Sequence, residues 1–123
     1  MREDTPKPNA FCHIVIPAPD LEAAKSFYES VFHWQVQANV PGEKYWFFQS
    51  GNVGGAFSSD HKPAQHAVQL IIQVADMQAT LSRIVQYGGT VTQPPSAIGE
   101  AAPGYDAYFL DPNHNEMGLY TPR

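Results

Sequence analysis

Residues 11–32 read FCHIVIPAPDLEAAKSFYESVF, and residues 66–89 read HAVQLIIQVADMQATLSRIVQYGG. Each stretch begins with apolar residues rich in isoleucine and valine and then reaches an aspartate, Asp20 or Asp76, directly before a helix-like segment. An aspartate in that place can accept hydrogen bonds from the free amides of a first helical turn. The two stretches therefore predict the same strand–helix unit twice, 56 residues apart.

The spacing of apolar residues in both segments favours helices with one buried face. Gly88–Gly89 predicts a left-handed end for the second helix. The first helix is expected to stop near His33, an unusual residue for that conformation because a side chain disfavours positive φ. The predicted buried faces are Leu21, Ala24, Phe27, Tyr28 and Val31 in the first helix, and Met77, Thr80, Leu81, Ile84 and Val85 in the second.

Three strand-like stretches follow each helix. They are WQVQANV, KYWFFQSG and VGGAFSS in the first half, and GTVTQPP, YDAYFLD and EMGLYTP in the second. The order βαβββ, repeated twice, predicts an α+β fold in one compact domain. The expected divisions are a polar tail at 1–10, a first module at 11–59, a linker at 60–65 and a second module at 66–121.

Composition excludes several classes of function. The 123 residues carry a net charge of -5 and no basic stripe, so a nucleic acid is not an expected partner. No apolar run approaches the roughly 20 residues of a membrane-spanning helix, and the first residues do not resemble a signal peptide. The single cysteine, Cys12, excludes an internal disulfide. These features lead us to expect a cytoplasmic protein that does not bind membranes.

Two sequence motifs stand in the right order around this repeat: FCHIVIPAPDLEAAKSFYESVF in one half and YFLDPNHNEMGLYTP in the other. Together they resemble the vicinal-oxygen-chelate superfamily, which contains glyoxalases, bleomycin resistance proteins and dioxygenases. The resemblance implies two βαβββ modules whose curved mixed sheets enclose a cavity, often completed in a homodimer. In catalytic members a divalent metal lies in that cavity, held by one side chain from the first strand and one from the last strand of each module.

These four positions can be located one by one. The ligand of the first strand stands seven residues before the helix-capping aspartate, which selects His13 and Gln69. The second half's D-P-x-G-N-x-x-E pattern has Gly118 in place of its glutamate, and residues 52–58 contain no carboxylate. Zinc, nickel and iron sites need about three or four protein ligands. The sequence therefore predicts no metal cofactor, with a divalent metal completed by substrate as the alternative.

The predicted pocket comes from strand alternation. Alternation places His13 on the opposite face of its strand from Ile14 and Ile16. In the second half it places Gln69 and Gln73 on the opposite face from their apolar neighbours. A hydrogen-bonded pocket residue is the favoured interpretation of His13, and an exposed sheet face is as acceptable as a pocket for the glutamines. The aromatic run at 45–48 sends two side chains to each face, and alternation cannot choose between them. The residues assigned to the pocket are His13, Trp46, Phe48, Gln69, Gln73 and Tyr108.

Other features favour structural roles. Gly54–Gly55 is interpreted as a bend or bulge where the sheet curves, in preference to a close approach of a ligand to the backbone. It is not a phosphate loop, because it lacks the lysine and the helix start of such loops. Parity places Cys12 toward the helix, as a buried thiol. The histidines expected to be solvated are His61, His66 and His114.

Three hypotheses of function follow. The first is a metal-free protein, homodimeric as the resemblance suggests, that binds a small organic molecule in a cavity between its modules. The second is a metal-dependent lyase, isomerase or dioxygenase with His13 at its centre. The third is a dimerisation module with a vestigial pocket. The missing carboxylates favour the first hypothesis over the second, because both charge neutralisation and the usual proton-abstracting base are lost.

Overall fold

The repeat predicted from the two aspartates is present in the three-dimensional structure. The computed structural model describes residues 13–37, 42–63, 68–99 and 103–123. The predicted tail at 1–10, Cys12 and His66 lie outside the described residues. The module boundaries at 11–59, 60–65 and 66–121 stay a prediction.

Eight strands and two helices follow one another in the described ranges. They are β1 (His13–Pro17), α1 (Leu21–Phe32), β2 (Gln35–Gln37), β3 (Tyr45–Ser50), β4 (Val53–Ser58), β5 (Ile71–Gln73), α2 (Met77–Gln86), β6 (Thr90–Ala97), β7 (Tyr105–Leu110) and β8 (Glu116–Thr121). The strands form two sheets, ordered β1-β4-β3-β2 and β5-β8-β7-β6. In each sheet the first strand runs parallel to the last strand of its module and the other pairs are antiparallel. The predicted α+β fold with two βαβββ modules and mixed sheets is confirmed.

Both helices begin and end where the sequence predicts. Asp20 Oδ1 accepts the backbone N–H of Ala23 at 3.0 Å, and Asp76 Oδ1 accepts that of Ala79 at 3.0 Å. α1 ends at His33, whose φ of 61° is left-handed. α2 ends just before Gly88, at φ 100°. The caps therefore fix the helix ends independently of how the helices pack.

One apolar core serves both modules. Tyr28 of α1 packs on Phe57 of β4 with ring centroids 5.2 Å apart, and Phe27 of α1 lies 6.0 Å from Phe109 of β7. α1 thus contacts both sheets and buries a broad face, whose buried members are Ala24, Phe27, Tyr28 and Val31. The two modules therefore share one core rather than having one each.

The prediction that Val85 is buried was wrong. α2 buries only the narrow stripe of Met77, Leu81 and Ile84, and Val85 is 60% exposed. Unlike α1, this helix covers a single sheet, so positions at the side of its apolar stripe face solvent.

The bulge predicted at Gly54–Gly55 is also wrong. Both glycines pair in unbroken register with β1 and β3. A Cβ at Gly55 would lie 2.5 Å from the ring of Phe48 and would also overlap the carbonyl oxygen of Ile14. The glycine is therefore required by a ring packed on the backbone, and the irregular register in the described strands lies between β6 and β7 instead.

Neither of the helices in the described ranges is long and apolar enough to cross a membrane.

Candidate functional site

Each sheet has one face packed against the helices and an opposite face, which we call the open face. On β8, Met117 and Leu119 are buried on the helix side, whereas Glu116 is exposed on the open face. On β1 the same alternation buries Ile16 and exposes His13. The open faces therefore carry the side chains that are available to a ligand or a partner.

A groove of about 1240 Å³ lies between the two modules. Its walls come from β1, from the chain before β5 and from the turn that leads into β8. The residues that line it are His13, Ile14, Val15, Ile16, Pro17, Pro19, Lys62, Pro63, Val68, Gln69, Leu70, Leu110, Asn113, His114, Asn115, Glu116 and Met117. A smaller hollow of about 610 Å³ lies beside α1, β2 and β3. We take the groove as the candidate site, because it is larger and brings together His13 and Gln69.

His13 lies in the wall of the groove that the first module forms. It pairs with Gly54 of β4, and its ring meets the ring of Phe47 edge-on, with centroids 6.3 Å apart. The prediction that strand alternation turns His13 away from the helix agrees with this position. An exposed imidazole in such a place can donate or accept one hydrogen bond on its free edge.

Gln69 contributes a polar pair from the second module. Its Nε2 donates to Glu116 Oε1 at 3.4 Å, and Thr92 Oγ1 donates to Glu116 Oε2 at the same distance. Glu116 is therefore a carboxylate in the groove wall that is oriented by two neutral donors. Sequence reasoning missed this residue, although β8 alternation from Gly118 places it on the same face.

Gly118 lies on the open face of the second sheet, where two neighbouring side chains approach it closely. A Cβ built there would lie 2.9 Å from Tyr108 Cε1 and 3.0 Å from Ile71 Cγ1. The two side chains belong to the neighbouring strands that pair with Gly118. The ring of Tyr108 thus fills the space that a side chain at position 118 would need.

The assignment of Trp46 and Phe48 to the cavity wall is corrected. Phe48 is 5% exposed and stacks on Trp34 with centroids 4.8 Å apart, on the helix side of β3. Trp46 packs against the same core. The open face of β3 carries Tyr45 and Phe47 instead, and Phe47 is 47% exposed. Alternation alone could not predict which pair of β3 side chains faces the helices, because both pairs are aromatic. The packing of Phe48 on Gly55, with which it pairs, places Phe48 on the helix side.

The remaining predicted pocket residues lie beside the groove. Gln73 is exposed opposite Tyr120, and Tyr108 is half-buried over Gly118. Both lie on the open face of the second sheet, and neither belongs to the groove lining. Of the six predicted residues, the structure brings only His13 and Gln69 into the groove.

The turn before β8 closes one end of the groove and contacts the first module. Asn115 Nδ2 donates to the carbonyl of Pro17 at 2.6 Å. Asn113 exchanges two hydrogen bonds with the backbone of Asp20, at 2.7 and 3.0 Å. These bonds fix the position of β8, and so of Glu116, relative to β1. His114 lies at the exposed tip of the turn, as predicted for a solvated histidine.

A buried carboxylate holds this turn in shape. Asp111 Oδ1 accepts the backbone N–H groups of Asn113 and Asn115, and Oδ2 accepts Tyr28 Oη and Asn115 Nδ2. Burial raises the pKa of Asp111, although its hydrogen bonds oppose that shift. Burial also raises the pKa of Tyr28, and the neighbouring charge of Asp111 adds to it. The pair serves the architecture of the groove and does not reach its surface.

A family model adds independent evidence to this geometry. The model described as the Glyoxalase/Bleomycin resistance protein/Dioxygenase superfamily matches residues 10–119. The chain belongs to this superfamily. The match covers both modules, so the resemblance first noted in two motifs extends over the repeat as a whole.

Relatives within and around the superfamily agree with the fold. A glyoxylase-like domain-containing protein from Didymella fabae is 28% identical over 116 residues, which cover 88% of this chain and 90% of that protein. A glyoxalase/bleomycin resistance protein/dioxygenase family enzyme from Burkholderia phytofirmans PsJN has a TM-score of 0.75 at 17% identity, over 90% of this chain and 97% of that one. A fosfomycin resistance protein from Mesorhizobium loti has a TM-score of 0.71 at 22% identity, over 92% of each chain. These likenesses show the fold alone.

The donor set does not fit the superfamily's metal. Val15 of the first module corresponds to Ile71 of the second in the sequence repeat. Val15 pairs with Ala56 and Ile71 pairs with Gly118. The two metal-ligand positions on the last strands of the modules therefore hold alanine and glycine. Neither residue carries a donor. Of the four positions only His13 and Gln69 can coordinate, and the described residues contain no group of three or more histidine, cysteine or acidic side chains arranged to hold a metal. Two neutral ligands leave a divalent charge uncompensated.

Proposed function

We propose that this member of the superfamily binds a small, partly aromatic organic molecule in the groove between its modules, without a metal ion, and acts as a cytoplasmic homodimer. The observation that carries the proposal is the position of Gly118. Where the family pattern has a metal-binding carboxylate, Tyr108 and Ile71 fill the space. A ligand site needs apolar walls with a few placed polar groups, and the groove supplies both.

Exposed apolar side chains on the open faces support the dimer. Phe47 on β3 and Ile71 on β5 are about half exposed, at 47% and 54%. Val15 and Tyr45 are also exposed on the first sheet. Large apolar side chains gathered on one sheet face favour a partner that covers them. A second copy of the chain would place a second wall over each open face and narrow the groove.

The metal-dependent enzyme remains the second candidate, because the groove retains a carboxylate. Glu116 lies beside Gln69, one of the positions that coordinate metal in catalytic members. Solved structures with this fold also include a protein described as lactoylglutathione lyase from Agrobacterium tumefaciens, at 22% identity and a TM-score of 0.67 over 93% of this chain and 94% of that one. The third candidate, a dimerisation module with a vestigial pocket, predicts no ligand at all.

Elemental analysis after gentle purification, followed by titration with zinc, nickel and manganese, tests the metal-free site. We expect no stoichiometric metal in the wild type. The matched variants are His13→Ala and His61→Ala, since His61 is an exposed histidine outside the groove lining. Stoichiometric metal that is lost in His13→Ala and kept in His61→Ala would restore the enzyme hypothesis.

Binding of aromatic fragments, followed by protein-observed NMR, tests the groove itself. Leu110 lines the groove, whereas Val85 is an exposed apolar residue on α2. Leu110→Ala should weaken fragment binding, and Val85→Ala should leave it unchanged. Fragments that bind nowhere, or that bind equally to both variants, would favour the vestigial pocket.

A further inference from the structure

Glu116 is the acidic side chain among the residues that line the groove. It is the first residue of β8, opposite Leu110 of β7, and its carboxylate faces the same side as Gly118. Residues two apart on a strand lie about 7 Å apart. Glu116 therefore lies about 7 Å along the strand from position 118, where the family pattern has its glutamate.

The hydrogen bonds of Glu116 leave it able to accept more. Each carboxylate oxygen takes one neutral donor, Gln69 Nε2 or Thr92 Oγ1, at the long distance of 3.4 Å. An ionised carboxylate has about four acceptor sites, and the donors found among the described residues occupy two of them. The two donors orient the group without consuming its capacity.

No cation neutralises this carboxylate within the described part of the chain. The ion pairs found there are Lys25–Glu29 and Lys44–Asp60, both outside the groove lining. Lys62 lines the groove, yet its ammonium is not within 4.0 Å of Glu116. Glu116 is exposed, so a cationic group that enters the groove can reach it and form a charge-assisted hydrogen bond.

Apolar residues also line the groove near Glu116, beside the polar Gln69 that donates to it. Val68 stands beside Gln69 and is almost fully exposed, and Leu110 lies across from Glu116 on the next strand. Both belong to the groove lining. A flat organic body can therefore lie against these side chains while one end of it reaches the carboxylate.

We propose that Glu116 is the recognition carboxylate of the groove, and that the ligand is an aromatic molecule with a cationic nitrogen, such as an amidine or a protonated amine. This inference rests on the proposed function and deepens it by naming the ligand's chemical class. The net charge of -5 acts in the same direction, because it attracts cations to the surface over long range.

The test uses benzamidine and benzamide, two probes of nearly identical shape. The amidine is a cation at neutral pH and the amide is neutral. Dissociation constants come from NMR titrations of the full chain that follow the side-chain amide of Gln69 and the amide of Thr92. The variants are Glu116→Gln, which keeps the size of the side chain and one of its two acceptor oxygens while removing the charge, and Glu22→Gln, which removes an equal charge from the exposed first turn of α1. Thr92→Val removes one orienting donor and leaves the charge in place.

Wild-type protein should bind benzamidine about tenfold more tightly than benzamide, as expected for one charge-assisted hydrogen bond that is partly exposed. Glu116→Gln should abolish the preference, whereas Glu22→Gln and Thr92→Val should keep it. Added salt should reduce the preference, because part of it is long-range attraction.

Three results would overturn the inference. Equal affinity for the two probes in the wild type, with shifts confined to the groove, would sink the cationic ligand and leave the proposed binding function intact. A preference that survives in Glu116→Gln would assign recognition to another group. If neither probe perturbs the groove residues, both the inference and the proposed binding function fail.

Discussion

The hydroxyl of Tyr28 in α1 donates a hydrogen bond of 2.9 Å to Oδ2 of Asp111, 83 residues further along the chain. Both side chains are almost completely buried. The bond joins the helix of the first module to the turn before β8 in the second. Asn113 and Asn115 of that turn form hydrogen bonds with the backbone of Asp20 and Pro17. Asp111 thus adds a buried polar link between the two groove walls to the apolar core that the modules share.

Tyr28→Phe should destabilise the fold by about 1–3 kcal/mol, because it leaves Oδ2 of Asp111 with one donor in a buried place. Urea unfolding measures this loss. Tyr120→Phe is the control, since the Tyr120 hydroxyl makes one exposed bond of 3.4 Å to Pro103 and should cost well under about 1 kcal/mol. Equal losses for the two variants would contradict the role given to the buried bond.

The stability of the protein should depend on pH through Asp111. Its pKa is raised in the folded state, so the folded state holds the proton more tightly than the unfolded chain. This contribution to the free energy of unfolding is fully present below the unfolded pKa. It is lost as pH rises through the raised folded pKa. Asp111→Asn removes it, so the stability difference between wild type and this variant should shrink as pH rises through that window. A difference that grows with pH would contradict the direction.

Gly55→Ala should destabilise the protein severely, by about 3 kcal/mol or more. The new methyl group would meet the ring of Phe48 and the backbone oxygen of Ile14, which cannot move without breaking the β1–β4 pairing. The adjacent Gly54→Ala is a matched control, because its methyl would meet the movable side-chain oxygen of Gln49 at 3.1 Å. Thermal melts of the two variants decide, and a similar loss in both would argue against a specific clash at Gly55.

A homodimer should be seen by light scattering at micromolar concentration. Phe47→Lys places a charge on the open face of β3 and should shift the protein toward monomer. Val85→Lys places the same charge on the outer surface of α2 and should leave the dimer unchanged. A monomeric wild type would remove the dimer from the proposed function.

Gly118→Ala should cost about 1–3 kcal/mol, since its methyl would overlap the ring of Tyr108. The same substitution made in a Tyr108→Ala background should cost much less. Urea unfolding of the four proteins in this double-mutant cycle measures the coupling directly. Additive losses would show that the ring can move aside and that the position is not filled.

Much of the fold could be predicted because its signals are local. Asp20 and Asp76 cap helices through amides three residues away, and alternation on β1 and β8 follows from a period of two. His13 and Gln69 were located by the superfamily's spacing before these two aspartates, and alternation on β1 predicted which way His13 faces. The end of α1 near His33 was also expected, although a histidine is an unusual residue at positive φ.

The rest depends on contacts between distant segments. The aromatic run in β3 is equally apolar on both faces, and only the fit of Phe48 over Gly55 decides which pair is buried. The second helix lost Val85 from its buried face because it covers one sheet rather than two. The bond from Tyr28 to Asp111 spans the chain and leaves no mark in either local pattern.

The packing of Tyr108 over Gly118 also restricts how this chain could change over time. A glutamate at position 118 would meet the ring and Ile71 at once, so we expect it to cost stability while both side chains keep their present positions. Smaller residues at 108 or 71 would have to arise first, when they bring no benefit of their own. The order of mutations therefore matters for any route by which this groove could acquire a ligand at position 118.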